Sequence, residues 1–550
     1  MKEKEPRQSI RKIWMLSREY GDFAGAGGIK DVCKQLAESF ARWSRRDVRI
    51  VMPLYGFMKP VELGCELLSD PLQRERPLCF AVDMNYSLQE RREELRVWVC
   101  RKARVTVYLL ESERFSEKSD VYTYTPQDEA REGWKQRGMG HYDYFAMNIL
   151  LQKAALELMI LLGERPDIIH CHDGHTAVVP ALINESAGLR SYFRGTGCVV
   201  TIHNAGLGYH QEIADLLFAQ AITGLPTQAI LANCLVDAFD PFLSAGRFAV
   251  MNTVSENYAR ELQQTEDDSL TGWLGHELAR RGVILEGVTN GINPADFNPV
   301  EPEMAGIAEG FDPADSTDIL KGKKKCKQTL LQQLATLHLP ADLEIFGSIT
   351  CSLDAPLFTF IGRLSTQKGV DLLIAALQEL FQRHPSGQAL FLGSGGKEEE
   401  QQLQNLVEMN GMVSRMCFLR GYSPMVANQV YAAGDFFVIP SRYEPCGLTD
   451  YIAQLFGNIP VVHHVGGLVK VVDGQTGIAY RGTDVEFLLA ALERAMLLYS
   501  QPDILRRMQL QAVQRIRQKH TWDKVMKKYL NLYEKARVLR WVGQPQTERV

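Results

Sequence analysis

Short apolar segments alternate with longer amphipathic segments along nearly the whole chain. The short segments are rich in β-branched residues, as in "VRIVMPLYG" (48–56), "GCVVTIHN" (197–204) and "LFTFIGRL" (357–364). Most of them precede a segment with apolar residues at helical spacing, such as "DLLIAALQELFQRH" (371–384). Buried strands that alternate with covering helices are typical of parallel sheets. The pattern therefore predicts an α/β protein built on parallel sheets.

Loop-forming residues divide the chain near its middle. Gly, Asn and Pro cluster in "GVTNGINPADFNP" (287–299), and the segment that follows has few hydrophobic residues. A chain of 550 residues is also too long for a single hydrophobic core. The sequence thus predicts two α/β domains of similar size that meet near residue 300.

The amino-acid composition disfavours several kinds of binding partner and indicates the cellular compartment. With 45% hydrophobic residues, 23% charged residues and a net charge of -5, the chain gives no electrostatic case for binding nucleic acid or an anionic membrane. The 11 cysteines form no CxxC pair, which disfavours a disulfide framework or a zinc site. No run approaches the length of a membrane span, and "MKEKEPRQSIRK" has no apolar signal-peptide core behind it. We expect a cytoplasmic protein.

A glycine-rich stretch, "GAGGIKDV" (25–32), lies between a predicted strand and a predicted helix. Gly25 and Gly27 fit the first two positions of GxGxxG, but Lys30 occupies the third, which disfavours a nicotinamide or flavin site. From the motif alone, a tight turn and a phosphate or sugar site are equally good interpretations.

Two stretches of the second half carry groups suited to a sugar nucleotide. Arg363 and Lys368 follow the strand "LFTFIG", where two cations could hold a diphosphate, although such pairs are more often surface charges. In "EPCGLT", the backbone amides of residues 447–449 would open a helix toward an anion, while Glu444 could accept hydrogen bonds from hydroxyls. A carboxylate beside a phosphate cradle fits a sugar nucleotide.

The histidines favour substrate contact over metal binding. His170, His172 and His175 lack the H-x-x-x-H spacing of a catalytic metal site, so structural hydrogen bonding at strand ends is the better interpretation. We therefore predict no metal. His203 and Asn204, at the end of "CVVTIHN", are better placed for a substrate.

Taken together and in their order along the chain, these motifs resemble those of the glycogen and starch synthases of the bacterial and plastid type. The resemblance extends from about residue 13 to about residue 535. The resemblance rests on collinear motifs: "HCHDGHTAVVP" against H-x-H-D-W-H-x-x-x-x-P, "TVSENYARE" against T-V-S-x-x-Y-A-x-E, "TNGINPADFNP" against N-G-I-D-x-x-x-W-N-P, "GRLSTQKGVDLL" against S-R-L-x-x-Q-K-G-x-D-L, "SRYEPCGLT" against S-R-F-E-P-C-G-L-T, and "IPVVHHVGGLVKVV" against I-P-V-V-x-x-T-G-G-L-x-D-x-V.

The resemblance implies a GT-B fold, in which two Rossmann-like domains with parallel sheets face each other across a cleft. It implies a first domain at 1–298, a nucleotide-sugar-binding domain at 299–520, and a last helix at 521–550 that crosses back to the first domain. The implied activity is retaining transfer of glucose from ADP-glucose to the non-reducing end of an α-1,4-glucan. The implied partners are the nucleotide sugar and glycogen or another α-glucan, with no cofactor besides the donor substrate, no nucleic acid and no membrane.

The resemblance also implies roles for individual residues. Arg363 and Lys368 would neutralise the diphosphate, Glu444 would hold sugar hydroxyls, and His203 would lie at the anomeric centre, with Asp173 near the donor sugar. The implied donor-binding residues are Gly27, Gly28, Asp31, Asn204, Asn290, Tyr422 (stacked on adenine), Cys446, Gly447, Leu448 and Thr449, and Glu19 and Gly25 belong to the acceptor side or the first-domain loop.

The chain departs from the family pattern at positions that bear on activity. Gly25 stands where the family has lysine, Lys30 where it has alanine, and Gly174 where it has tryptophan. These departures leave two alternatives open: a weak or inactive relative that binds glucan or regulates, and a GT-B transferase that uses another nucleotide sugar. A nicotinamide oxidoreductase fits least, since it leaves "EPCGLT" and "RLSTQKG" unexplained.

Overall fold

The computed structural model describes residues 10–43, 45–336, 339, 343–350, 352–409 and 411–542. The chain divides into two compact units, Met1–Thr289 with Trp522–Val550, and Asn290–Thr521. The segment 290–298, which the sequence assigns to the first domain, lies in the second unit. It is held there because the Ile292 amide donates to the His520 carbonyl and Ile292 bridges Thr521.

The first unit is built on one sheet that is parallel at its centre and antiparallel at one side. The strand order is β12-β11-β8-β7-β1-β2-β6-β5-β3, with β4 paired to β5 and a separate β10-β9 ribbon, where the strands are β1 Lys12–Leu16, β2 Asp47–Pro53, β3 Glu66–Leu67, β4 Cys79–Asp83, β5 Arg92–Lys102, β6 Val105–Glu111, β7 Ile168–His172, β8 Gly197–Ile202, β9 Cys234–Leu235, β10 Ala238–Phe239, β11 Val250–Thr253 and β12 Glu286–Gly287.

Helices connect these strands as parallel topology requires. They are α1 Gly28–Trp43, α2 Glu113–Ser116, α3 Pro126–Arg131, α4 Tyr144–Leu161, α5 Val179–Glu185, α6 Ala187–Tyr192, α7 Leu216–Thr223, α8 Thr227–Ala232, α9 Pro241–Ala245, α10 Glu256–Gln264 and α11 Leu274–Arg280, with a 3-10 helix at Glu266–Thr271.

Helix α4 corrects the expectation that no run approaches the length of a membrane span. Among the described residues it is long and apolar enough to cross a membrane, but 72% of it is buried inside the protein. Its two amide side chains, Asn148 and Gln152, are buried as well, and Gln152 donates to the Asn148 carbonyl at 2.9 Å. A helix that is covered by protein on most sides needs apolar residues around its whole circumference. Helix α4 therefore has the composition of a membrane-spanning helix although it lies in the core.

The second unit has a smaller sheet, parallel except for the antiparallel edge strand β13. Its order is β13-β16-β15-β14-β17-β18-β19, with β13 Glu344–Ile349, β14 Leu357–Ile361, β15 Gln388–Gly393, β16 Arg415–Arg420, β17 Phe436–Ile439, β18 Ile459–His463 and β19 Ile478–Tyr480. Its helices are α12 Pro302–Ala305, α13 Lys321–Ala335, α14 Val370–Arg383, α15 Lys397–Glu408, α16 Pro424–Ala433, α17 Thr449–Leu455, α18 Val485–Tyr499 and α19 Pro502–Lys519, with 3-10 helices at Pro294–Phe297, Thr366–Lys368 and Gly466–Lys470.

Hydrophobic clusters cover both faces of this second sheet. Along β14, Phe358 and Phe360 belong to one cluster, while Leu357 and Ile361 belong to the other. Successive side chains of a strand point to opposite faces, so a strand covered on both sides must be apolar throughout. The predicted parallel α/β architecture is confirmed in both units.

The last helix, α20 Trp522–Val542, belongs to the first unit. The Trp522 indole donates to the Gln35 side chain at 2.6 Å, and the Tyr533 ring stacks on Phe40 at 5.2 Å. The Tyr533 hydroxyl is hydrogen-bonded to His170 at 2.9 Å. The chain therefore returns to the first sheet after completing the second unit, as the sequence predicts.

Candidate active site

In the first unit, the glycine-rich loop is held from below by a buried carboxylate. Glu19 follows strand β1, and its Oε2 accepts hydrogen bonds from the amides of Ala26 at 3.0 Å and Gly27 at 3.3 Å. Its Oε1 accepts the hydroxyl of Tyr122. Burial raises the pKa of Glu19, and these hydrogen bonds oppose the shift. Glu19 therefore fixes the loop that leads into Gly28, where α1 begins, and Asp31 lies in the first turn of that helix.

Gly25 lies against the side chain of Lys30. A Cβ added at Gly25 would lie 2.6 Å from Glu19 Oε2, 2.6 Å from Lys30 Cβ and 2.7 Å from Lys30 Cδ. The lysine stem thus packs over the position where the family carries its own lysine. The Lys30 side chain has no hydrogen-bonding or ionic partner among the described residues.

Three histidines line the carboxyl ends of β7 and β8. His172 Nδ1 lies 2.9 Å from His203 Nε2, and His170 Nε2 lies 2.7 Å from the Thr201 hydroxyl. Since Thr201 donates to Asn252, it accepts from His170, which fixes the His170 tautomer. Burial lowers the pKa of His170 and of His203 to about 3, so both rings are neutral near pH 7.

One set of groups here could hold a metal ion. Potential ligand atoms of Cys33, His172 and His203 lie within 4.8 Å of one another, and all three residues are buried. A thiolate with two neutral imidazoles would suit zinc. The sequence pattern indicated a different group of possible ligands, His170, His172 and His175. Cys33 could not be predicted from that motif because it lies in helix α1.

Asp173 adopts a left-handed backbone conformation, with φ of 60°, and organises the next loop. Its Oδ1 accepts from the amides of His203 at 2.6 Å and Asn204 at 3.4 Å, while its Oδ2 is buried without a partner among the described residues. Burial raises the pKa of Asp173 to about 8, although the two amides oppose the shift. Asp173 is therefore mostly protonated at neutral pH and positions His203.

Gly174 is required by a close backbone approach. A Cβ at this position would lie 2.2 Å from the His210 carbonyl oxygen. The His210 ring bonds Asp240 Oδ2 at 2.8 Å and the Ala205 carbonyl at 2.7 Å, so it faces acceptors on both nitrogens. Although burial opposes it, Asp240 raises the pKa of His210. The backbone of residue 210 thus occupies space next to the position of the family's tryptophan.

In the second unit, the structure joins two of the predicted donor groups. Lys368 Nζ donates to Glu444 Oε2 at 2.5 Å, and the Ser441 hydroxyl donates to the same oxygen at 3.0 Å. Burial opposes ionisation of Glu444, but Lys368 outweighs it and lowers the pKa of that carboxyl. The cluster therefore holds an ionised carboxylate and an ammonium at the carboxyl ends of β14 and β17.

A second charged pair beneath this cluster was missed by sequence reasoning. Lys470 donates to the carbonyls of Gly447 at 2.7 Å and Gly467 at 3.2 Å, and it pairs with Asp450 at 3.0 Å. Burial raises the pKa of Asp450 to about 6 against the pull of Lys470. Lys470 stands where the family motif has aspartate, and that departure was the signal that could have revealed it.

The two motifs that are predicted to hold the donor are also joined directly. Arg442 makes a bidentate pair with Asp371 at 2.7 Å for both contacts, and it donates to the Thr366 carbonyl at 2.7 Å. Gly369 lies so close to the Pro440 carbonyl that a Cβ would be 2.2 Å from it, and its φ is +67°. These contacts set the spacing between Lys368 and Glu444.

The other predicted residues of this unit lie in different environments. Arg363 is exposed, and Tyr422 is 66% exposed on the loop after β16. Asn290 is buried, and its Oδ1 has no partner among the described residues. Gly447 has φ of 70° and leads through Leu448 into α17, which begins at Thr449; Cys446 is buried just before them.

Comparisons with known proteins agree with this architecture. Residues 12–278 match the family described as starch synthase catalytic domain, and residues 355–497 match glycosyl transferases group 1. A glycogen synthase from Syntrophotalea carbinolica is 30% identical over 95% of this chain and 98% of its own length, and one from Photobacterium profundum is 30% identical over 95% and 94%. The catalytic domain of starch synthase IV from Arabidopsis thaliana, solved with ADP and acarbose, superposes with a TM-score of 0.74 at 24% identity, covering 96% of this chain and 100% of that one.

Two parallel α/β units, a C-terminal helix that returns to the first, and a charged cluster at the strand ends of the second define a glycosyltransferase of the GT-B fold. Within that class, the chain belongs to the glycogen synthase family.

Proposed function

We propose that the protein is a retaining glucosyltransferase that moves glucose from ADP-glucose to the non-reducing end of an α-1,4-glucan such as glycogen. Full-length similarity to glycogen synthases supports this proposal. The observation that carries it is the ion pair between Lys368 and Glu444, which brings two separate motifs into one partly buried cluster.

The pair suggests how a donor would be accepted. The diphosphate competes with Glu444 for the Lys368 ammonium, and a charge-assisted contact to phosphate replaces the internal ion pair. The released carboxylate then accepts hydrogen bonds from glucose hydroxyls. Exposed Arg363 adds a second cation as ADP departs, since negative charge grows on the diphosphate in the transition state.

His203 acts in this scheme as a neutral group. Burial holds the pKa of His203 at about 3, and its Nε2 is engaged by His172. Its Nδ1 has no partner among the described residues, so it remains for a substrate hydroxyl. Asp173 fixes the backbone at His203 through the 2.6 Å hydrogen bond.

A transfer assay tests the proposal. Purified protein is given glucose-labelled ADP-, UDP- or GDP-glucose with glycogen, and both labelled glucan and released nucleotide are measured. We expect transfer from ADP-glucose above the other donors, strong loss in Glu444→Gln, and wild-type rates in the exposed control Glu303→Gln. No labelled glucan from any donor contradicts the activity, and equal use of ADP- and UDP-glucose contradicts the donor assignment.

The glycines at two family positions favour a second candidate, a relative that binds glucan without efficient transfer. At Gly25 the structure shows why a single Gly25→Lys change is a poor test, because the added side chain meets the Lys30 stem. The double variant Gly25→Lys/Lys30→Ala restores both family residues and removes the Lys30 Cδ, while the loop must still shift to relieve the 2.6 Å contacts with the Cβ of residue 30 and with Glu19 Oε2. Glycogen binding without transfer in the wild type, with transfer gained in the double variant, would establish this candidate.

We also propose that the protein acts in the cytoplasm. The described cysteines are all free thiols, as expected in a reducing compartment. Cell fractionation with an antibody to the protein tests this, and recovery in the membrane fraction would contradict it.

A further inference from the structure

Two buried cysteines face each other at the antiparallel side of the first sheet. Strand β3 pairs with β5 so that Glu66 lies opposite Val99 and Leu67 opposite Trp98, which places Cys65 opposite Cys100. Their Sγ atoms are 2.8 Å apart, and the residues are only 6% and 7% exposed. A disulfide bond is about 2.05 Å long, so a small movement of the two sulfurs would suffice to form one.

The surroundings of this pair favour thiolate chemistry. The hydrogen bond from the Cys65 thiol lowers the pKa of Cys100; burial opposes the shift, and the Lys102 ammonium adds to it. Lys102 Nζ lies 3.6 Å from where a Cβ would stand at Gly64, next to Cys65 in the chain. Cysteines that react with oxidants typically lie beside a cation, which stabilises the thiolate, and in contact with a second thiol.

Other cysteines of the described chain lack this arrangement. Cys171 and Cys198 lie on neighbouring strands, but the register sets them opposite Val200 and Ile169, not opposite each other. Cys79 is exposed, and it lies opposite Arg96 in the β4–β5 pair. Cys65 and Cys100 are therefore placed to react with each other.

We propose that Cys65 and Cys100 are a modification site, at which a peroxide converts the two thiols into a reversible disulfide. The Cys100 thiolate attacks one peroxide oxygen, the O–O bond breaks, and a sulfenic acid forms while the other oxygen leaves as water or an alcohol. The Cys65 sulfur then attacks the sulfenic sulfur, an S–S bond forms, and the hydroxyl leaves as water with the Cys65 proton. In sum, two thiols lose two electrons and two protons to the peroxide.

The disulfide would fasten an edge of the sheet. Strand β3 has two residues and pairs with β5 at the end of the strand order. Joining Cys65 to Cys100 closes a loop across this pairing and reduces the freedom of the unfolded chain. The oxidised protein should therefore melt at a higher temperature than the reduced protein.

The test is peptide mapping of the full-length protein after brief hydrogen peroxide treatment, with free thiols blocked in acid before digestion. We expect a Cys65–Cys100 crosslinked peptide that dithiothreitol removes, that is missing in Cys100→Ser, and that persists in the control Cys79→Ser. Full alkylation of both cysteines after peroxide, or crosslinking of Cys100 to another cysteine, would overturn the proposal.

Thermal melting of the same wild-type sample gives a second measurement that needs no variant. A rise on oxidation that dithiothreitol reverses supports the locking of β3, and equal melting temperatures in the two states overturn that part. Neither readout depends on glucosyl transfer, so failure here is distinct from failure of the proposed function.

Discussion

Replacing Asp173 by asparagine should stabilise the protein increasingly as pH rises. The Asp173 carboxyl is fully buried; one oxygen holds the amides of His203 and Asn204, and the other has no partner among the described residues. Asparagine keeps an oxygen acceptor for those amides and carries no charge at any pH. The variant therefore removes the cost of a buried carboxyl that loses its proton readily in the unfolded chain but not in the folded one.

The sign and size follow from the raised pKa. Asp173 titrates at 3.8 as a free group and at about 8 in the fold, so between these values the folded protein holds a proton that the unfolded chain has released. Wild-type stability from this group then falls as pH rises through the window, and it levels off above about pH 8. From pH 5 to pH 8 the fall is up to about 4 kcal/mol, at about 1.36 kcal/mol per pH unit.

Urea unfolding of wild type and Asp173→Asn at several pH values from 5 to 8 measures this effect. The stability gap in favour of the variant should widen across the series. Asp173→Ala is the matched control, because it removes the charge together with the acceptor and should lose about 1–3 kcal/mol for the unpaired amides. Parallel stability curves for wild type and Asp173→Asn would refute the reasoning.

Three further predictions concern other contacts in the two units. Glu444→Gln breaks the pair with Lys368 and should lower kcat/KM for ADP-glucose roughly 10- to 1000-fold, measured by ADP release; a change below twofold would contradict the proposed role. Gly174→Ala places a Cβ 2.2 Å from the His210 carbonyl oxygen, which must move, so the free energy of unfolding in urea should fall by about 1–3 kcal/mol. An unchanged urea midpoint would argue against this close approach. Because Asp240 raises the pKa of His210, the stability that their pairing contributes is fully present below about pH 6.5 and is lost as the pH rises through the pKa of His210 in the folded protein. Asp240→Asn should abolish this part of the pH dependence of the melting temperature. An identical pH profile in the variant would count against the pairing.

The strands that could be predicted are those buried on both faces. The run at 197–204 contains β8 and the run at 357–364 contains β14, and every residue of both strands is buried. A strand in this position has no polar face, so its sequence is a continuous apolar run that stands out from its surroundings.

Strand β5 was missed for the opposite reason. Its sequence "REELRVWVCRK" is exposed at both ends and buried mainly at Leu95, Val97 and Cys100. Charged residues are tolerated in an antiparallel strand with one solvated face, and they hide the alternation that marks the strand.

The same limit applies to the charged cluster of the second unit. Lys368 and Glu444 were identified because each lies in a motif directly after a buried strand. Lys470 was missed although it contacts carbonyls in the motif of Glu444, because it lies on a separate 3-10 helix after β18, which the fold joins to that motif through the Gly467 amide and the Glu444 carbonyl at 2.9 Å. Local sequence shows which residues follow strands, whereas the pairing of distant charges depends on the order in which the strands assemble.

The two missing family side chains at Gly25 and Gly174 have related structural causes. At Gly25 the Lys30 stem and the Glu19 carboxylate occupy the space around the absent Cβ, and at Gly174 the backbone at His210 does so. Neither glycine leaves a void that a larger residue could simply fill. The substitution at Gly25 is accompanied by a second one nearby, since Lys30 stands where the family has alanine, and reversing either glycine alone should cost stability before it restores any function. For this reason the double variant at positions 25 and 30, rather than either single change, separates an altered enzyme from one that has lost its activity.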